Sequence, residues 1–306
     1  MKRRWIIGFL VLVACIYGLG RLYFILTDDF RVGTVTHTLP IRPEWNIAPL
    51  TAEEKTKLHA ILDQPYSYLG KGAQAYAFAS EDGKYVFKFF KFKHILPKWW
   101  YGCLPDWEMF RSIKEKEAAY RVRKYNRTFN AHKLAFENDK KNTGLIYVHL
   151  NPSQDLHETF TVTDKIGRSF TFNLDEIVFV IQERGETLGN EIHKSLKKGH
   201  VDLVNNMIDK IWVMYMDEYT RGIWDQDHGV THNTGLLPDK RPFHLDVGML
   251  HMSDYMKQKE EYKPDLLIAA RRVQVWIKRH YPAYYAPILS HMEETLSHLL
   301  GEPIHL

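Results

Sequence analysis

The residues of this chain whose types and spacing could do chemistry fall in three places. In "LGKGAQAYAFASEDGKYVFKFFK", Leu69 to Lys91, Gly70 and Gly72 let a backbone approach a ligand with no Cβ in the way. Lys88, on the strand that follows, carries an ammonium able to pair with phosphate oxygens. In "GIWDQDHGVTHNTGLL", Asp225, Asp227 and Asn233 stand in an irregular polar segment, and in "HLDVG" Asp246 closes a short strand, followed by Gly248. Each also has a plain structural role open to it: a hairpin, a solvated loop, or a cap on a helix beginning near Met249. Between the first and second places a helix carries Glu115 and Glu117, either of which could hold Lys88 in an ion pair.

A different chemistry is carried by His228 and His232, four residues apart and near Asp225, Asp227, His244 and Asp246 in sequence. On a helix two histidines at that spacing share a face and could hold zinc, which would make the chain a metal-dependent hydrolase. Gly229, Val230, Asn233 and Gly235 are poor material for a helix interior, which weighs against that reading.

The elements that must position these residues are legible by pattern. Thr51 with Glu54 three residues later predicts a capping box and a short helix over "TAEEKTKLHAILDQ". Alternating runs on either side of Asp82-Gly83 predict a hairpin, and 106–130 is helical with charged i,i+4 pairs such as Glu117 and Arg121. Strands follow in "GLIYVHL", in "ETFTVTDKIGRSFTFNL" with its turn at Asp164 to Gly167, and in "EIVFVIQE". The pattern changes at "RGETLGNE". A long helix, "VDLVNNMIDKIWVMYMDEYTRG", precedes the polar loop, and the C-terminal stretch is helical, broken near Pro264, Pro282 and Pro287. Strands first and helices afterwards make an α+β chain with two lobes.

Taken in order, these features resemble the protein-kinase-like superfamily, including its shorter bacterial small-molecule and lipopolysaccharide kinase branches. The resemblance runs from about Tyr66 to Leu250 and implies a β-rich N-lobe over 51–184 and a reduced helical C-lobe over 185–306. In that family a Gly-rich loop and a strand lysine hold the nucleotide phosphates, a helix glutamate braces the lysine, and a loop aspartate orients the acceptor hydroxyl. An asparagine and a second aspartate hold Mg²⁺. The matching positions are Gly70, Gly72, Lys88 and Glu117 for the nucleotide, Asp227 or Asp225 for catalysis, and Asn233 and Asp246 for metal. The implied cofactors are ATP and Mg²⁺. The implied reaction is phosphoryl transfer to a hydroxyl on a small molecule, glycan or protein.

The departures from the family are specific. Its catalytic aspartate precedes the asparagine by five residues, a place held here by His228; Asp227 precedes Asn233 by six and Asp225 by eight. "LDVG" replaces Asp-Phe-Gly, no activation segment follows, and fewer than 60 residues remain beyond Gly248. These losses argue against a conventional regulated protein kinase. A small-molecule kinase and a catalytically degenerate, membrane-anchored pseudokinase scaffold both fit.

Composition and charge narrow the partners. With a formal charge of +4 and no Arg/Lys stripe interleaved with aromatics, the chain is not expected to bind nucleic acid; the most basic stretch, "KFFKFKHILPKWWYG", reads as a strand edge and loop. Two cysteines, Cys15 and Cys103, rule out a disulfide-stapled fold. "WIIGFLVLVACIYGLGRLYFIL", Trp5 to Leu26, follows a basic flank and is long enough to cross a bilayer. A signal-anchor is favoured over a lipoprotein signal ending at "LVAC", because apolar residues continue beyond Cys15; a cleaved signal peptide ranks third. Residues 27–50 read as a linker. Lys2, Arg3 and Arg4 before the helix predict a single-pass protein with a cytoplasmic N-terminus. That places the soluble part across the membrane, where a bacterial periplasm supplies no ATP. Three resolutions stand: a nucleotide-containing compartment, the inverse orientation, or lost catalysis.

Overall fold

The structure is a computed structural model that describes residues 2–36, 41–92, 103–105, 107–154 and 156–306. Helix α1 (Lys2–Thr27) is followed by α2 (Val32–Val35), α3 (Ala52–Leu62), and strands β1 (Tyr66–Lys71), β2 (Ala75–Ser80) and β3 (Tyr85–Phe90). Next come α4 (Glu108–Asn138), α5 (Lys140–Thr143), β4 (Leu145–His149), β5 (Thr159–Thr163), β6 (Ser169–Asn173), β7 (Phe179–Glu183) and β8 (Glu186–Thr187). The rest is α6 (Leu188–Leu196), α7 (Val201–Thr220), β9 (Ile223–Asp225), α8 (Val230–Asn233), β10 (Thr234–Leu236), β11 (Pro242–His244), β12 (Leu250–Met252), α9 (Lys259–His280) and α10 (Tyr285–Leu300). The fold is α+β: a seven-stranded sheet, ordered β4-β7-β3-β2-β1-β5-β6, and a helical C-terminal part.

Two compact units emerge. One comprises 1–122 and 149–180; the other comprises 123–148 and 181–306, so the C-terminal half of α4 and β4 belong to the helical unit. The β-rich unit is built on aromatic residues at alternate strand positions. Tyr76 and Phe78 on β2, and Phe87 and Phe89 on β3, are buried, with Phe87 stacked between Phe160 and Phe179 at 4.2 and 4.7 Å. The predicted turns are present: Gly83 and Gly167 both take φ near +70 to +85°, and Asp164 Oδ1 accepts the N–H groups of Ile166 and Arg168. Thr51 and Glu54 form the capping box on α3. The basic stretch from Lys88 to Gly102 lies mostly outside the described residues.

Within 27–50, expected as a linker, the described residues pack against the sheet: Phe30, Val35 and Trp45 are buried, and Phe30 makes edge contacts with Tyr76, Phe78 and Phe170. Asp28 is held by Lys71 at 2.8 Å and by Lys165 at 3.2 Å, with the Tyr68 hydroxyl donating at 3.0 Å. Lys71 first, with Lys165 and the Tyr68 hydroxyl, keeps its carboxyl well down, at about 2, against the opposing effect of burial. Composition alone suggested coil because Pro, Gly and Thr are scattered there; a single deeply placed ring outweighs that. Helix α1 itself is exposed, and its Arg4–Thr27 span is long and apolar enough to cross a membrane.

The helical unit packs α6, α7, α9 and α10 around Ile192, Ile208, Trp212, Val273, Ile288 and Met292. Helix α9 runs through Pro264, contrary to the expected break. Pro264 lies in the second turn and removes one hydrogen bond, whereas Leu266, Ala269, Ala270, Val273 and Ile277 beyond it are all buried. The break does occur at Tyr281-Pro282, and Pro287 sits in the first turn of α10, where an N–H would have had no helical partner.

Candidate functional site

The loop residues are gathered by two short strand ladders in the helical unit. Strands β10 and β11 pair with Thr234 opposite His244, and β9 pairs with β12 with Asp225 opposite Leu250. The loop 226–233 joins β9 to β10, and the loop 245–249 joins β11 to β12. Because the strands pair crosswise in this way, both loops emerge together. The Asn233 carbonyl accepts the Leu245 N–H at 2.7 Å and the Asp246 N–H at 3.4 Å, and the Met249 carbonyl accepts from Gln226 at 3.2 Å. These bonds tie the two loops end to end.

Asp227 and Asn233 meet over Gly229. A Cβ at Gly229 would stand 2.9 Å from Asn233 Nδ2 and 3.2 Å from Asp227 Oδ1, so a bare glycine is what lets both side chains share that space. Asp246 is exposed and uses one carboxylate oxygen to accept the Gly248 N–H at 3.0 Å. Asp227 is also exposed, and Asn233 is half-buried. The structure thus brings Asp227, Asn233 and Asp246 to one end of the two ladders.

Asp225 is different. It is buried, at 1% exposure, and its Oδ1 accepts the Asp227 N–H at 2.9 Å. Burial raises its carboxyl to about 7, partly offset by His244. Beneath the loops lies a buried set that sequence reasoning missed. His244 Nε2 donates to Glu218 at 3.0 Å, its Nδ1 lies 3.9 Å from Asp225 Oδ2, and the Gln182 amide donates to the His244 carbonyl at 2.7 Å. Burial alone would lower the His244 pKa, yet Glu218 and Asp225 carry it up to about 9. The imidazolium is therefore retained inside, two residues from Asp246 and joined through Asp225 to Asp227. Its partners Glu218 and Asp225 lie 26 and 19 residues from it in sequence, and no local spacing signals them.

His228 does not share a helix face with His232: it precedes α8, which begins at Val230. Its Nε2 lies 2.7 Å from Asp265 Oδ1, while Asp265 Oδ2 accepts the Tyr219 hydroxyl at 2.7 Å. The Asp265 hydrogen bond raises the His228 pKa against the effect of burial. Among the described residues no group of three or more His, Cys, Asp or Glu side chains is disposed to hold a metal ion. Asn233 with Asp246 is a two-residue oxygen set of another kind.

In the β-rich unit, Gly70, Ala77 and Lys88 fall on one cross-strand row, with Gly70 opposite Ala77 and Ala77 opposite Lys88. Residues directly opposite share a face. Lys88 therefore rises beside the small side chains of β2, on the face away from the Phe87 and Phe89 core. A Cβ placed on Gly70 would meet nothing within 4 Å, and one on Gly72 would meet only the Ala75 carbonyl at 4.0 Å, so the turn is open. Lys91, which sequence reasoning passed over, is buried; it donates to the Gly72 carbonyl and lies 4.4 Å over the Tyr76 ring. Glu117 is engaged by Arg121, one turn along its own helix, at 2.6 Å rather than serving as the expected brace. The i,i+4 spacing already favoured that pair.

No known family profile matches the sequence, and no curated protein does. Among solved structures the chain is similar to the complex of Rv3197 with erythromycin from Mycobacterium tuberculosis, at 16% identity over 95% of this chain and 75% of that one, with a TM-score of 0.30. Likeness of that strength does not define a shared fold.

Proposed function

We propose that the chain is a membrane-anchored phosphotransferase of protein-kinase-like architecture, using a Mg-nucleotide to phosphorylate a hydroxyl acceptor. The observation that supports this best is the meeting of Asp227, Asn233 and Asp246 across Gly229 and the Asn233 carbonyl. The chemistry of the set fits the metal: Mg²⁺ takes oxygen ligands, needs one or two from protein, and completes its shell with water and phosphate. Asn233 and Asp246 would hold it, and it would neutralise charge on the transferring phosphoryl group. Asp227, exposed beside them, would orient the acceptor hydroxyl and take its proton. The burial of Asp225 favours Asp227 for that role and leaves Asp225 to position the loop. Gly70, Gly72 and Lys88 carry the phosphate-holding role that the resemblance implies, with Lys91 bracing the glycine turn.

One observation favours the second reading, a scaffold without catalysis: Glu117 is occupied by Arg121. Thermal unfolding of the full chain in detergent, with ATP and Mg²⁺ against each alone, tests the proposal. Nucleotide at 100 times its Kd should stabilise the fold by about 2.7 kcal/mol. A shift present in wild type and absent in Asp246→Asn is expected. Binding without turnover on any acceptor would select the scaffold, and no shift with any nucleotide would sink both.

A further inference from the structure

Helix α9 has two faces. Leu266, Ala269, Ala270, Val273 and Ile277 are buried in the core of the helical unit. Ile268, Arg271, Arg272, Val275, Trp276 and Arg279, at the spacing of a second stripe, face a groove instead. The other wall of that groove is the loop carrying Asp227, His228, Gly229 and His232, and the volume enclosed is about 660 Å³. That lies within the range of small-molecule sites.

The lining is strongly cationic. Arg271, Arg272 and Arg279 are exposed and make no ion pair with the described residues. Asp227 is the one carboxylate in the lining, and nearby Asp265 is already taken by His228 and Tyr219. Three guanidiniums against a single carboxylate in one groove leave an excess of positive charge suited to an anion, since their forked donors match phosphate oxygens. Trp276, its ring tilted against that of His280 at 4.8 Å, adds an apolar wall suited to the C–H face of a sugar or polyol ring.

We propose that this groove is the acceptor site and that the acceptor is a phosphate-bearing polyol, its phosphate on Arg271, Arg272 and Arg279 and a hydroxyl at Asp227. The proposal rests on the phosphotransferase reading for the fate of that hydroxyl, though not for binding. A phosphate gains charge-assisted hydrogen bonds from these guanidiniums that a neutral sugar cannot make, so the site favours an already anionic acceptor. The same headgroup chemistry is available from a soluble sugar phosphate or from a lipid such as phosphatidylglycerol.

Binding to the full chain in detergent or nanodiscs separates the outcomes. Glucose 6-phosphate is compared with glucose by calorimetry, and phosphatidylglycerol nanodiscs with phosphatidylcholine nanodiscs by Trp fluorescence. We expect at least tenfold tighter binding of one phosphate-bearing probe than of its neutral partner. Arg271→Gln with Arg279→Gln should remove that preference, while Lys278→Gln, on a neighbouring face, keeps it. Both substituted arginines are exposed, and an unchanged melting temperature confirms folding. Glucose 6-phosphate alone binding assigns a soluble acceptor; phosphatidylglycerol alone assigns a lipid. Equal binding of charged and neutral probes, binding of neither, or a preference surviving in the double variant overturns the proposal. If the anion preference holds while ATP and Mg²⁺ give no thermal shift, the groove stands and the phosphotransferase reading falls.

Discussion

Glu218 and His244 form an ion pair sealed inside the helical unit, with His244 Nε2 3.0 and 3.2 Å from the two carboxylate oxygens and both side chains at or below 1% exposure. The consequence is a stability that depends on pH in a defined direction. An unfolded histidine titrates near 6.5, whereas His244 holds its proton to about 9. The folded chain binds more protons across that window, so the contribution is complete below about 6.5 and drains away as pH rises through 9. Asp225 and Asp139, both raised to about 7 by burial, act in the same sense at lower pH, from about 4 to 7. We expect the full chain to unfold at lower denaturant at pH 9.5 than at pH 6.5, by about 1–3 kcal/mol at ~1.4 kcal/mol per pKa unit. Glu218→Gln should flatten the dependence. A stability level across that range would contradict the pair's assignment.

The glycines make opposite predictions. A Cβ at Gly235 would lie 1.9 Å from the Glu186 carbonyl oxygen, inside the β8–β10 ladder, where neither backbone can move without losing pairing. Gly235→Ala should therefore cost at least about 2 kcal/mol, the scale of overpacking. Gly70→Ala meets nothing within 4 Å and should leave the melting temperature unchanged. If the turn holds phosphates, the same substitution weakens nucleotide binding several-fold. Calorimetry of the two variants, with and without ATP and Mg²⁺, separates packing from ligand contact. A destabilised Gly70→Ala would show the turn to be structural.

The chain's local signals were legible where one element decides the outcome. Asp82-Gly83, Asp164 to Gly167 and Thr51 with Glu54 each settle a turn or cap from residues a few positions apart. What could not be read was placement across distance. Phe30 looked like part of a linker because its partners Tyr76 and Phe170 are 46 and 140 residues away. The stripe from Ile268 to Arg279 has helical spacing in plain view, yet its meaning comes from facing the Asp227 loop, which no periodicity encodes. Burial likewise distinguishes Asp225 from Asp227, which no pattern does, since two aspartates two positions apart in an irregular loop look alike in sequence.

Phe30 makes the boundary of the soluble part testable. Its ring is fully buried among Tyr76, Phe78, Phe89 and Phe170, and Asp28 beside it anchors Lys71 and Lys165. Phe30→Ala should cost about 3–5 kcal/mol. A chain truncated to begin at Thr51 should be less stable than one beginning at Asp28, although both lack α1. Both should be released from membranes to which the full chain fractionates. Equal melting temperatures for the two truncations would mean that the segment after α1 does not dock as described, and equal detergent-free solubility of full and truncated chains would mean that α1 is no anchor.

On the proposed phosphotransferase function, the two loop aspartates should separate binding from transfer. The Asp227 side chain is exposed and its loop is held through its backbone N–H on Asp225, so Asp227→Asn keeps the shape of the loop and removes the group that can accept a proton. Nucleotide binding should persist, and transfer should fall by about 10²-fold or more, the usual weight of a positioned base. Asp225→Asn keeps an oxygen for the Asp227 N–H and replaces a carboxyl whose pKa of about 7 already leaves it half protonated near neutrality. Its effect on transfer should be smaller, within about tenfold, and it should shift the pH dependence of stability below 7, because one raised carboxyl is gone. Transfer from labelled ATP to glucose 6-phosphate and to phosphatidylglycerol, followed for both variants, gives the readout. If Asp225→Asn is the dead enzyme and Asp227→Asn the active one, the proton acceptor is the buried residue, and the loop must open to expose it.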